Sequence, residues 1–370
     1  MFVLRPCRLA DLPAIEGIAA VSAVGITSLP PDHDRLRDKI ANSLHSLAAE
    51  VDVCGEESYF FVLEDDATGE VIGTSGIVAS AGFHDRFYSY RNEIIVHASQ
   101  QLGVSNKIHS LHLCHDLTGL ALLSSFYIKP AHQDGDLPQL LSRARLLFIA
   151  EHTNRFPDRI AAESPGVCDA EGNSPFWNAV GKRFFNMGYP QAEQLSGGRS
   201  KTFIAELMPQ YPIYVPLLPA DAKLAIGQLH PVGELPFSIL MDEGFEADTY
   251  IDIFDGGPTV DARISGLRSV LLNVKKRAIA GDTSVTSTLH IAAQAAARVP
   301  SLGTLPSQQG LENAQLCIIA NTETERFRAT FANVAAGLGD TVVLSEEMMA
   351  ALEIVNGDDV RIMPVNFQNH

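Results

Sequence analysis

The chain has 370 residues, 46% of them hydrophobic and 19% charged, so it can bury large cores, has room for two or three domains, and is not disordered. Its formal charge of −17 comes from 44 acidic against 27 basic side chains. An excess of that sign repels nucleic acid and anionic membranes and favours a cationic substrate.

Residues 2–5 predict a first strand. Asp11-Leu-Pro13 opens a helix, with Asp as N-cap and Pro in the first turn, and the stripe from Ala14 to Val21 continues it. A second helix is expected over residues 31–51, where Leu36, Ile40, Leu44 and Leu47 recur at helical spacing. Strands follow at 58–63 and 70–78, joined by a turn at 65–69, then at 92–97 and 107–114. Residues 124–128 predict a central buried strand, 137–151 a helix and 160–163 another strand. An aromatic helix is expected over 175–185, N-capped by Ser174, and a closing strand over 202–207. This order suits a mixed α/β sheet with crossover helices. Helices over 221–228 and 235–243 flank Gly227-Gln-Leu-His230-Pro231, and residues 250–254 read as a strand meeting the turn Asp255-Gly-Gly-Pro258.

Residues 280–312 turn to Ala, Ser, Thr, Gly and Gln and read as a loosely ordered insertion. Strands at 315–320, 327–331 and 341–344, a helix at 345–352, and a turn at 356–359 feeding strand 360–363 predict a compact C-terminal β-barrel. The domains are therefore drawn at 1–257 and 258–370.

The five cysteines are scattered and lack a Cys-x-x-Cys pair, as expected of reduced thiols in a cytoplasm. The N-terminus does not read as a signal peptide, and no apolar run nears the roughly 20 residues of a membrane span.

The most informative stretch is 124–150. An apolar strand, Ser124-Ser-Phe126-Tyr127-Ile128, runs into the polar loop Ala131-His-Gln133-Asp-Gly135-Asp136 and then into an amphipathic helix. Such a junction offers unpaired backbone N–H groups and the positive end of a helix dipole, which seat a phosphate. Acyl-CoA N-acyltransferases of the GNAT type place the CoA pyrophosphate at a junction of this kind.

Ser58-Tyr-Phe-Phe-Val-Leu-Glu-Asp65, His97-Ala-Ser99, His115-Asp-Leu-Thr-Gly119, Ser174-Pro-Phe-Trp177, Phe203-Ile-Ala-Glu-Leu-Met-Pro209, Gly227-Gln-Leu-His-Pro231 and Tyr250-Ile-Asp-Ile-Phe-Asp-Gly-Gly-Pro258 resemble the arginine N-succinyltransferase family. The likeness is greatest to the alpha-type chain of members built from two paralogous subunits. It covers roughly residues 1–270 strongly and the tail weakly.

The resemblance implies a GNAT-like domain that moves succinyl from succinyl-CoA, a co-substrate and not a bound cofactor, to the α-amino group of L-arginine in arginine catabolism, with ornithine as a possible second acceptor. It implies a proton donor at His230, a succinyl-CoA contact at Phe126, and a beta-type partner subunit or a homo-oligomer. The family's glycine-rich loop reads Gln133-Asp-Gly135-Asp136-Leu-Pro138 here, so both of its glycines are replaced. Asp136 adds negative charge beside a pyrophosphate and Pro138 has no N–H. A partner subunit carrying the better CoA site, with this chain as a non-catalytic scaffold or regulator, is the alternative.

Amide formation needs a neutral amine, a polarised thioester carbonyl and a proton for the departing thiolate. Backbone groups of Phe126, Tyr127 and Ile128 would pair with pantetheine amides, while Gln133 and Gly135 would face the phosphates. Paired carboxylates best hold a guanidinium, and Glu163, Glu206, Asp252 and Asp255 stand near predicted strand ends. Arg91, Lys182 and Arg183 are candidates for the succinyl carboxylate. In His109, His112, Cys114 and His115, strand alternation splits the ligands between two faces, so no metal site is expected.

Overall fold

In a computed structural model, the described residues are 1–22, 29–196, 206–281, 314–335 and 339–366. In chain order they form β1 (Phe2–Pro6), α1 (Leu12–Val21), α2 (His33–Ala48), β2 (Ser58–Asp65), β3 (Glu70–Val78), β4 (Ser89–Ser99), β5 (Val104–Cys114), β6 (Ala121–Ile128), α3 (Leu137–Glu151) and β7 (Arg159–Glu163). Next come α4 (Pro175–Ala179), α5 (Lys182–Phe185), α6 (Tyr189–Ser196), β8 (Ile213–Tyr214), α7 (Ala220–Ala225), α8 (Pro231–Glu243), β9 (Glu246–Ile251), β10 (Pro258–Arg263) and α9 (Arg268–Leu272). The chain ends in β11 (Val274–Ala280), β12 (Ala314–Asn321), β13 (Ala329–Ala335), β14 (Thr341–Leu344), α10 (Glu346–Ala351) and β15 (Asp359–Pro364).

The strands lie in the order β14-β11-β15-β12-β13-β1-β2-β3-β6-β7-β10-β9-β4-β5-β8. The β6–β7 pair is parallel, and α3 crosses between these strands. β2 explains why both faces of the sheet are covered. Tyr59, Phe61 and Leu63 point into the core beneath α3, where Phe148 meets Tyr59, Phe61, Phe156 and Phe327. Phe60 and Val62 point the other way, against Ile15 and Ile18 of α1 and Leu36 and Ile40 of α2. Each such side chain stabilises the fold by about 1.5–3 kcal/mol. This is the mixed α/β sheet with crossover helices that the sequence led us to expect.

The strands expected for a C-terminal barrel are present, with a core of their own that includes Ala278, Ile319, Val342, Leu352 and Ile362. Among the described residues they form an open run, joined to the main sheet where Ala329 of β13 meets Leu4 of β1. The boundary drawn at 257/258 falls just ahead of β10, which pairs with β7 on one edge and β9 on the other. The insertion expected at 280–312 lies almost entirely outside the described residues, as do residues 202–205 of the expected closing strand; Glu206 and Leu207 are helical, not extended.

Three further expectations are corrected. The aromatic helix at 175–185 is two helices, α4 and α5, broken at Val180-Gly181; a Cβ on Gly181 would sit 2.2 Å from the Trp177 ring. The strand expected at 250–254 ends at Ile251, because Asp252 turns back on its own loop. The helix expected from 235 begins at Pro231 and carries Pro236 within it.

Candidate active site

β6 runs parallel to β7 through three pairs only, Ala121 with Ile160, Leu122 with Ala161 and Leu123 with Ala162. Beyond them the two strands part. On its other edge β6 pairs antiparallel with β3, and the register slips between Thr74 and Gly76, so that Ser125 and Phe126 stand opposite one residue. Ser125 takes φ 56°, a left-handed conformation rare outside glycine and characteristic of a bulge.

Two buried groups hold the bulge. Thr74 Oγ1 donates to Ser125 O at 2.8 Å. Arg145, on α3, donates through one guanidinium nitrogen to Gly76 O at 3.2 Å and Ser124 O at 3.4 Å, and lies 5.9 Å from the centre of the Phe126 ring. Burial pulls the Arg145 guanidinium down to about 9. Past the bulge, Phe126 and Ile128 pack into the core beneath α3, and Tyr127 against the α1–α2 cluster. These side chains are packing groups, so their offer to a ligand is their backbone.

The loop after β6 exposes Gln133 and Gly135. Gly135 takes φ 87°, and Gln133 donates its side-chain amide to Ile128 O at 3.2 Å. α3 then starts at Leu137 with no side-chain cap from Asp136 and with Pro138 in its first turn. The basic Lys129 is drawn away to Glu70 at 2.7 Å.

His230 arrives from the opposite wall. The chain beyond β7 stays extended, and Ser164 N donates to Pro258 O on the β10 side. Backbone groups of successive extended residues face opposite edges, so the Pro165 carbonyl faces the edge that β6 has left. It accepts from His230 N at 2.8 Å, and Gly166 bridges Leu229. His230 is therefore seated along the opening between β6 and β7. It caps α8 by accepting from Val232 N on Nδ1 at 3.3 Å. With Nδ1 accepting, Nε2 is the ring nitrogen left to exchange a proton with a ligand.

Asp252 and Asp255 build the turn that supports this arrangement. Asp252 Oδ1 accepts from Phe254 N at 2.6 Å. Asp255 accepts from Gly166 N and Gly257 N, both at 2.8 Å, and from the Tyr189 hydroxyl at 3.1 Å. Gly227 N donates to Gly256 O at 2.8 Å, tying in the segment ahead of His230. Burial, reinforced by Asp252, pushes the Asp255 carboxyl up to about 7. Both acids, expected at a guanidinium, are buried and serve the loop.

Glu163 is different: it is half-buried, ends β7, and begins a row of cross-strand partners, Thr259, Tyr250, Arg91 and His112. Arg91 is already compensated by Glu93 at 2.6 Å and Asp116 at 2.7 Å. Lys182 and Arg183 are exposed on α5, and Glu206 is exposed. Among the described residues no group of three or more His, Cys, Asp or Glu side chains could hold a metal.

Phe126 and the Gln133–Gly135 loop thus follow one another along β6 and its exit, while His230 is tied to the extension of β7 that Glu163 ends. Sequence reasoning missed Thr74, Arg145 and Tyr189. A buried arginine in the middle of an apolar helix was the one legible signal among them.

Comparison with known proteins shows which family the chain resembles over its whole length. A family profile described as "Arginine N-succinyltransferase beta subunit" matches residues 2–269, and one described as that subunit's C-terminal domain matches 305–364. The chain is 49% identical to the arginine N-succinyltransferase subunit alpha of Pseudomonas aeruginosa, over 99% of this chain and 100% of that one. It is 36% identical to the subunit beta of the same organism, over 99% of each. An arginine N-succinyltransferase of Escherichia coli is 35% identical, over 98% of this chain and 97% of that protein. The solved structure of arginine/ornithine succinyltransferase subunit AI from Pseudomonas aeruginosa superposes with a TM-score of 0.84 at 46% identity, covering 99% of both chains.

Proposed function

Since the chain belongs to the arginine N-succinyltransferase family, we propose that it transfers the succinyl group of succinyl-CoA to the α-amino group of L-arginine, as the alpha-type subunit of an arginine-catabolic enzyme. The observation that carries this reading is the bulge at Ser125–Phe126 where β6 stops pairing with β7, with His230 bonded to the extension of β7 through Pro165 O.

The pantetheine arm would lie along Phe126–Ile128, with the pyrophosphate over Gln133–Gly135 and the start of α3. The neutral amine attacks the thioester carbon, and charge collects on the carbonyl oxygen. The Phe126 N–H would be the donor to that oxygen. The C–S bond then breaks. The proton lost by the amine passes to the His230 imidazole, which in turn gives a proton to the departing thiolate and returns to its neutral form, so atoms and charge balance. Glu163, half-buried at the end of β7, would receive the acceptor's cationic end.

Among the described residues no helix is long and apolar enough to cross a membrane, and all five cysteines are free thiols. Both facts support a place in the cytoplasm. The alpha and beta names of two relatives support a paralogous partner chain.

One observation favours a scaffold role instead: Asp134 and Asp136 flank Gly135, and both are exposed at the phosphate seat. Release of CoA from succinyl-CoA plus arginine separates the two readings. Turnover by the purified chain alone, abolished by His230→Asn, supports catalysis here. Turnover only with the paralogous chain, unaffected by His230→Asn in this one, would make it a scaffold. Running ornithine beside arginine ranks the acceptors.

A further inference from the structure

We infer that Thr74 is a positioning residue for acyl transfer: its hydroxyl fixes the peptide between Ser125 and Phe126 so that the Phe126 N–H meets the thioester carbonyl. The inference rests on the acyl-transfer reading above and extends it to a residue that touches no substrate.

The argument is one of peptide geometry. Thr74 is fully buried on β3, and its Oγ1 donates to Ser125 O at 2.8 Å. In a trans peptide the carbonyl of one residue and the N–H of the next point in opposite directions, and the described chain contains no cis bond. β3 and β7 lie on opposite edges of β6. A Ser125 carbonyl held by the Thr74 hydroxyl therefore turns the Phe126 N–H away from Thr74, the side that the inference assigns to the opening left where β7 parts from β6. The opening and the donor coincide because one hydroxyl holds the carbonyl.

That hydroxyl matters because the bulge is not the relaxed path of the chain. Ser125 sits at φ 56°, which costs a non-glycine residue energy and persists only where the surroundings fix it. Arg145 fixes the preceding peptide through Ser124 O at 3.4 Å. Without Thr74 Oγ1 the following peptide keeps its place in the chain and loses its fixed tilt. An oxyanion donor acts through pre-organisation, so a loosened tilt lowers the rate more than it lowers binding. The pantetheine contacts at Tyr127 and Ile128 and the pyrophosphate seat lie further along β6 and its loop and are not served by this bond.

The test compares Thr74→Val, which keeps the shape and removes the hydroxyl, with Thr74→Ser, which keeps the hydroxyl. Two readouts are taken on the full chain with its paralogous partner present: kcat and KM for succinyl-CoA, and the carbonyl resonance of succinyl-CoA labelled with carbon-13 at the thioester, bound without acceptor. Thr74→Val is expected to lower kcat by about tenfold or more with KM changed less than threefold, and to lose the downfield shift of the bound carbonyl. Thr74→Ser is expected to restore both. Equal losses in the two variants would mean packing and overturn the inference, as would a Thr74→Val protein with normal kcat and a normal carbonyl shift. Failure of the parent reading is separate and visible in the wild type: neither turnover nor uptake of the labelled thioester.

Discussion

The phenol of Tyr189 donates to the carboxylate of Asp255 at 3.1 Å, joining α6 to the turn that holds the strand extension beside His230. Asp255 is buried, and burial is the larger cause that raises its carboxyl to about 7. An unfolded aspartate titrates near ~3.9. The unfolded chain therefore loses its proton first as pH rises. The stability linked to this group is fully present below about pH 4 and is lost progressively as pH climbs through about 7. Thermal midpoints of the wild type and Asp255→Asn between pH 4.5 and 8 test this. The wild type should fall towards Asp255→Asn over that range, and parallel curves would remove Asp255 as the titrating group.

His230 has two jobs that can be pulled apart. As N-cap it accepts from Val232 N, and as proton donor it uses Nε2. His230→Asn keeps a capping acceptor and cannot move a proton. His230→Ala loses both, at about 1 kcal/mol for the cap. Both variants should lose roughly 10²–10⁴ in kcat, the usual reach of general acid–base catalysis. Only His230→Ala should lower the urea midpoint. Near-normal turnover in His230→Asn would eliminate the proton-transfer role.

At the phosphate seat, Asp136 precedes Leu137 and makes no capping bond with its side chain. Its charge faces the same end of α3 that would hold a pyrophosphate. Asp136→Ser removes that charge, and one exposed charge within about 4 Å is worth about 1 kcal/mol in water. Calorimetry should show CoA bound about fivefold tighter by the variant at low ionic strength, with the gain shrinking as salt is added. An unchanged affinity would place the pyrophosphate elsewhere.

The strand–loop–helix core was legible because each part carries its own physical mark. Ile160-Ala-Ala-Glu163 is too apolar for a loop, and Leu137–Glu151 holds a helical apolar stripe. The turn after Ile251 was misread because Tyr-Ile-Asp-Ile-Phe alternates like a strand. Only the fold reveals that Asp252 Oδ1 accepts from Phe254 N two residues on. The start of α8 was hidden by Pro236, which reads as a breaker, although Pro231 after a capping residue is a regular helix opening. The bulge left no trace at all. Ser124-Ser-Phe is an ordinary strand sequence, and the left-handed Ser125 is imposed by Thr74 and Arg145, 51 residues before it and on the next helix. Strain fixed by long-range partners has no local signature.

The last prediction concerns how the two sides of the opening are kept in register. Arg143 of α3 meets Glu243 of α8 at 2.8 Å, with both side chains almost wholly buried. Glu243 also accepts from Ser269 N at 2.8 Å and Ser269 Oγ at 2.6 Å, which draws α9 into the same joint. The helix that begins at the phosphate seat and the helix capped by His230 are thus clamped through one ion pair. Burial raises the Glu243 carboxyl, while Ser269 and Arg143 oppose that rise. Arg143→Met would remove the ion-pair partner of a buried carboxylate, a loss of about 3–5 kcal/mol. Adding Glu243→Gln removes that charge, so the double variant should regain at least half of the loss. Urea unfolding of the three variants measures this directly. A loss below about 1 kcal/mol for Arg143→Met, or a double variant no better than the single, would show that packing alone holds α3 against α8.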